Sequence, residues 1–168
     1  MSRPVSDPFT VRRAGVADAE AIARVHVASW DAAYADLIPE PSRRQFDVPR
    51  RAIQWQRLLD GGARVWVAME DEVVVGFVEV RGPEIPVLYL HPGWWRLSLG
   101  RTLLVTALRA IRTAGHERAW LWVLQDNEPA KAFYTRLGGE PGTVRPVQVG
   151  DVVLTEMRYS WPLRVRTT

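Results

Sequence analysis

The chain contains no cysteine. That excludes disulfides, a thiolate nucleophile and a cysteine-based zinc site, and it suits a reducing, cytoplasmic setting. Histidine is sparse. His26, His91 and His116 stand far apart without metal-ligand spacing, so no metal is expected. Lys131 is the single lysine among 22 basic residues. The arginines are interleaved with acids and form no block, which argues against a nucleic-acid partner. No apolar run approaches the ~20 residues of a transmembrane helix, so no membrane partner is expected. Met1 to Pro8 lack the apolar core of a signal peptide.

What remains is an ordinary globular composition over 168 residues, 47% hydrophobic and 24% charged. That length fits one domain, expected over residues 9–163, between a flexible lead-in at 1–8 and a tail at 164–168. The net charge of +3 and pI near 9.8 suit a phosphate-bearing small ligand.

Periodicity predicts an α/β fold. Phe9 to Arg13 reads as a strand, Asp18 to Leu37 as a helix ended by Pro39 and Pro41, and Arg50 to Leu59 as a second helix. Strands follow at Arg64–Met69, Val73–Val80 and Ile85–Leu90. A helix over Ser98–Arg112 carries an apolar stripe of Leu99, Leu103, Leu104, Leu108 and Ile111. Ala119–Leu124 is the next strand and Glu128–Leu137 the next helix. Val144–Val149 and Val152–Trp161 form a hairpin across Gly150-Asp151. The strand–helix–strand unit from Ile85 to Leu124 predicts one parallel pair, and the rest of the sheet should be antiparallel. Helices flank this mostly antiparallel sheet.

The most informative stretch runs from Leu88 through His91-Pro92-Gly93-Trp94-Trp95-Arg96-Leu97-Ser98-Leu99-Gly100 to Arg101. A buried strand, a tight loop and a helix start leave free amides at the positive end of a helix dipole. A pyrophosphate would sit on the amides of residues 96–101, with Arg96 and Arg101 adding charge. The same residues also suit an ordinary strand–loop–helix corner.

Here the chain resembles the GNAT (GCN5-related N-acetyltransferase) family. Trp95-Arg96-Leu97-Ser98-Leu99-Gly100 aligns with its acyl-CoA motif, in which Gln or Arg is followed by two residues, Gly, one residue, and Gly or Ala. Trp95 occupies the first position, as in a subgroup of the family. Ser98 replaces the first motif glycine, and Arg96 a glycine often found just after the first position. The Ser98 hydroxyl could bond a phosphate oxygen or crowd it. Asn127-Glu128-Pro129-Ala130-Lys131-Ala132-Phe133-Tyr134-Thr135-Arg136-Leu137-Gly138 resembles the family's N-x-x-A-x-x-F-Y-x-x-x-G segment at every named position. Val25 to Trp30, with Ala33-Tyr34 and Leu37-Ile38-Pro39, resembles the first helix of a bacterial subgroup.

The resemblance implies the GNAT acyl-CoA fold and direct acetyl transfer from acetyl-CoA to a primary amine, on a small molecule or a peptide. It leaves a homodimer open, and also a non-catalytic relative that binds CoA or another ligand without turnover. It implies that amides of Leu88, Tyr89 and Leu90 bind the pantetheine and the oxyanion. Asn127 would cap its helix and donate to a ligand carbonyl, and Tyr134 would protonate the leaving thiolate. Glu84 is the first candidate base and Glu79 the second. His26, Trp30 and Tyr34 share one helical face and either wall the acceptor or belong to the core. His91 reads as a loop-shaping residue.

Overall fold

The computed structural model describes residues 9–44, 46–95 and 97–164, the side chain of Leu97 excepted. The lead-in expected at 1–8, Arg96 and the tail residues 165–168 lie outside them. The element order is β1 (Phe9–Arg13), α1 (Ala19–Tyr34), α2 (Glu40–Arg43), α3 (Val48–Asp60), β2 (Arg64–Glu70), β3 (Val73–Arg81), β4 (Glu84–Leu90), α4 (Leu97–Thr113), β5 (Arg118–Leu124), α5 (Glu128–Arg136), β6 (Glu140–Val149) and β7 (Val152–Pro162). Short 3-10 turns at Val16–Asp18 and Pro92–Trp94 precede α1 and α4.

Seven strands form one sheet in the order β1-β2-β3-β4-β5-β7-β6. Every neighbouring pair is antiparallel except β4 and β5. This is the mixed α/β architecture that the strand–helix–strand unit predicts. Two differences from the sequence reading have local causes. Asp47 accepts the Arg50 amide at 2.9 Å, so α3 begins at Val48, before Arg50. Pro41 does not merely end α1. It sits in the first turn of α2, where a missing N–H costs nothing.

Strand alternation distributes the core between two faces. On one, α4 lays Leu99, Leu103, Leu104, Ala107 and Ile111 against Val78, Val80, Ile85, Leu121 and Val123. On the other, α1 and α3 bring Ile22, Val25, Trp55 and Leu59 against Val65, Val67 and Phe77. Helices α1 and α3 pack on each other, and α1 reaches β3 and β4. The side chains of β5 and β7 that point to this second face belong to neither core cluster.

Two irregularities in β4 open the sheet. Its pairing with β3 slips between Glu79 and Arg81, so Arg81 opposes Glu84 while Glu79 opposes Val87. As a result Ile85 faces α4, yet Val87, two residues on, faces α1 and α3. Pro86 falls inside this bulge, where its missing N–H breaks no ladder bond. On its other edge β4 matches β5 in register only at Glu84 and Trp120, beside a Trp120 N–H to Pro83 carbonyl bond of 3.1 Å. Beyond that level the parallel strands part.

Candidate active site

Along the β4 edge facing the gap, amide direction follows from neighbouring bonds. The His91 N–H donates to the Val75 carbonyl at 2.8 Å. A Cβ placed on Gly76 would lie 3.1 Å from the Tyr89 carbonyl oxygen, so that carbonyl faces β3. Across a trans peptide the N–H opposes the C=O. The Leu90 N–H therefore points into the gap, and by alternation so does that of Leu88. Alternation turns the Tyr89 N–H toward β3 instead. Of the three amides the sequence suggested, the geometry brings two to the gap and keeps Tyr89 out. The Leu90 carbonyl is held by Ser29 Oγ at 2.7 Å and by Trp95 Nε1 at 2.9 Å, which fixes the end of β4 against α1 and the loop.

The loop after β4 is shaped by its own side chains. His91 Nδ1 accepts the Gly93 amide at 3.2 Å, the loop-shaping role expected of it. Trp94 donates its indole N–H to Glu70. Trp95 leaves 61% of its surface exposed. Helix α4 starts at Leu97, so Ser98 lies in its first turn, exposed, with ordinary helical φ; among the described non-glycine residues only Asp71 has positive φ. No glycine conformation is needed at position 98. The Ser98 carbonyl is taken by Thr102 Oγ1 at 2.8 Å. Leu99 is buried, and Arg101 is exposed on the following turn. Gly100 answers a packing need. A Cβ there would meet Phe133 Cζ at 3.0 Å and Leu90 Cδ1 at 3.4 Å, so the missing side chain lets α4 approach α5.

Beyond β5, Asn127 caps α5 by accepting the Ala130 amide at 3.2 Å through Oδ1. Its amide nitrogen stays available as a donor. About two turns later, Tyr134 is buried, with its ring 5.2 Å from Phe133, 6.0 Å from Tyr159 and 5.8 Å from Trp161. Its hydroxyl has no protein hydrogen bond among the described residues. Burial raises the Tyr134 phenol well above its ordinary value, so it keeps its proton at any physiological pH.

Across the gap a second phenol, Tyr89, is raised chiefly by burial and then by the proximity of Tyr34 and Tyr134, against the opposing charge of Arg51. The three tyrosines thus converge on one region. Tyr34 is itself raised by burial and then by the Glu156 carboxylate. Trp30 is stacked on Phe46 at 4.4 Å and on Tyr34 at 4.8 Å. The Arg51 guanidinium covers Phe46 at 3.6 Å. His26 is 9% exposed and accepts the Trp55 indole N–H at 3.1 Å through Nδ1. Burial, then the Arg51 charge, lowers its pKa to about 3. The ring is neutral with its proton on Nε2, and it packs against Phe46 and Phe77.

Glu79 is 3% exposed and bonded to Arg81 at 2.8 Å. It opposes Val87, two positions from Tyr89. Glu84 lies at the level where β4 and β5 still pair, five residues and roughly 17 Å along the strand from Tyr89. The geometry therefore brings together Leu88, Leu90, Asn127, Tyr134, Trp30 and Tyr34, with Glu79 nearer than Glu84. Sequence reasoning missed Ser29, Phe46, Arg51, Trp122, Glu156 and Arg158. Period-2 alternation in β5 and β7 could have found the last three.

These features have counterparts in known proteins. The sequence pattern of the acetyltransferase (GNAT) family matches residues 30–139, and the chain belongs to that family. The uncharacterized N-acetyltransferase YuaI of Bacillus subtilis (strain 168) is 29% identical over 165 residues, covering 91% of this chain and 92% of its own. Among solved structures, a GCN5-related N-acetyltransferase from Rhodopseudomonas palustris aligns with a TM-score of 0.79 at 21% identity, over 96% of this chain and 100% of its own. The YncA structure from Salmonella typhimurium, with its cofactor acetyl-CoA, aligns at 0.70 and 20% identity over 96% and 98%. The family and fold expected from the two motifs are thereby borne out, and with them the class of enzyme, an acyltransferase.

Proposed function

We propose that the chain transfers an acetyl group from acetyl-CoA directly to a primary amine. The observation that carries this reading is the β4–β5 gap, which Leu88 and Leu90 line with unpaired amides and Tyr134 flanks with a protonated phenol. A pantetheine chain can complete the β4 edge as a third strand would, through those amides and Asn127 Nδ2. The first turn of α4, with the Ser98 hydroxyl, supplies donors for the pyrophosphate.

The amine nitrogen attacks the thioester carbonyl carbon. A C–N bond forms, the C–S bond breaks, and oxyanion charge passes through the amides on the gap edge. Tyr134 gives its proton to the departing sulfur, and the second proton of the attacking nitrogen, released as the amide forms, restores the phenol through water. The ammonium proton of the acceptor must first leave. We assign its removal to Glu79 through water, ahead of Glu84, because Glu79 lies nearer the phenol cluster. Trp30, Tyr34 and Phe46 wall the acceptor side.

The test is thiol release from acetyl-CoA across a panel of primary amines, with wild type, Glu79→Gln and Glu84→Gln. Amine-dependent release, lost in Glu79→Gln, supports the assignment. Acetyl-CoA binding without release by any amine favours the non-catalytic binder.

A further inference from the structure

The second face of β5, β7 and β6 is where an acceptor would lie, and its charges do not balance. Trp122 opposes Arg158, Trp120 opposes Ser160, and Leu124 opposes Glu156, so these six share one face. Three arginines point there. Arg145 is paired with Glu156 at 2.6 Å and lies 3.8 Å over the Trp122 ring. Arg118 bonds Ser160 at 2.8 Å and approaches Glu140 at 3.6 Å. Arg158 lies 6.0 Å from the Trp120 ring and, among the described residues, has no carboxylate within ion-pair distance. Its Nε is buried and, among the described residues, has no hydrogen-bond partner.

A partly buried cation with an unsatisfied donor is costly unless something else in the working state supplies the charge. The position fits a substrate group. Counting from the level shared by Glu84 and Trp120, Arg158 lies about one two-residue step, roughly 7 Å, short of the level of Leu88. The tip of α2 closes the same side, since a Cβ on Gly150 of the β6–β7 turn would touch Ser42 at 3.4 Å.

We propose that the acceptor is an amine that also carries a carboxylate, bound by the Arg158 guanidinium against Trp120 and Trp122 while its amino group reaches the β4–β5 gap. The inference rests on the acyltransferase reading above. The Arg158 guanidinium holds the carboxylate through the unsatisfied Nε together with an Nη donor, and the indoles exclude water from the pair. The amine nitrogen then forms the amide bond as already described, and the carboxylate is unchanged by the reaction.

The experiment compares the standard L-amino acids with their matching amides in the thiol-release assay. It also measures binding of the corresponding N-acetyl-L-amino acids and N-acetyl-amino acid amides by calorimetry, which needs no turnover. For at least one side chain, wild type should favour the carboxylate by about tenfold or more in kcat/KM and in affinity. Arg158→Gln should bring that ratio near one through KM, and Arg158→Lys should restore part of it. Equal use of acids and amides, no binding of any carboxylate, or a preference that survives Arg158→Gln would each overturn the proposal. Arg158-dependent carboxylate binding without thiol release would uphold this site and refute the catalytic reading instead.

Discussion

Acid should unfold this protein through His26. The folded ring resists protonation until about pH 3, because it is buried and, second, because it faces the Arg51 charge. In the unfolded chain the same imidazole titrates near its ordinary value of 6.5. The folded pKa is depressed, so the contribution is fully present above pH 6.5 and is lost as pH falls toward 3. Integrating proton uptake by the unfolded state between those limits gives a loss of about 2 kcal/mol by pH 5 relative to pH 7.5. For a domain of this size that is a fall in Tm of roughly 4–8 °C. Asp18, lowered chiefly by its hydrogen bond to Arg12, adds its own loss at more acid pH. The informative comparison is therefore wild type against His26→Gln, whose amide oxygen can still accept the Trp55 N–H but cannot be protonated. Urea unfolding at pH 7.5, 6 and 5 should give a steep acid slope for wild type and a shallower one for the variant. Parallel slopes would refute the assignment of a buried neutral histidine.

Tyr134→Phe keeps the ring contacts with Phe133, Tyr159 and Trp161 and breaks no protein hydrogen bond. It should lower kcat by about 100-fold or more, with acetyl-CoA affinity and Tm nearly unchanged; unaltered turnover removes the general acid. Ser98→Ala should weaken acetyl-CoA binding about tenfold, since the exposed hydroxyl sits in the first turn of α4 without strain. Tighter binding in calorimetry would mean that the hydroxyl crowds the phosphate. Gly76→Ala places a methyl 2.5 Å from Leu90 Cδ2 and 3.1 Å from Leu103 Cδ1 and the Tyr89 carbonyl. It should cost about 1–3 kcal/mol in denaturant unfolding and lower turnover by moving the end of β4; a variant as stable and active as wild type would show that β4 yields freely.

The parts of the site that were legible in sequence are those built from contiguous residues. The helix start after Trp95 and the cap-plus-phenol segment from Asn127 to Tyr134 each carry their geometry locally, through a dipole, a cap and a 3.6-residue period. The gap itself was not legible, because no local pattern says where two parallel strands part; family resemblance supplied only the amides that line it. Pro86, which a central strand ordinarily excludes, is accommodated by the β4 bulge. Tyr89 lost its amide role through strand parity: consecutive amides face opposite edges, so three in a row cannot share the gap. Phe46, Arg51 and Arg158 were invisible because each gains meaning from an element distant in sequence: Phe46 from Trp30, Arg51 from His26, and Arg158 from Trp120 and Trp122. The small helix α2 was hidden by its proline, which reads as a terminator and here begins an element.

Calorimetric titration of acetyl-CoA into the purified protein decides whether the gap beside Leu88 and Leu90 holds it. One site per chain is expected, with a dissociation constant in the micromolar range, weakened by Ser98→Ala and little changed by Tyr134→Phe. Absence of binding at millimolar acetyl-CoA would contradict that expectation.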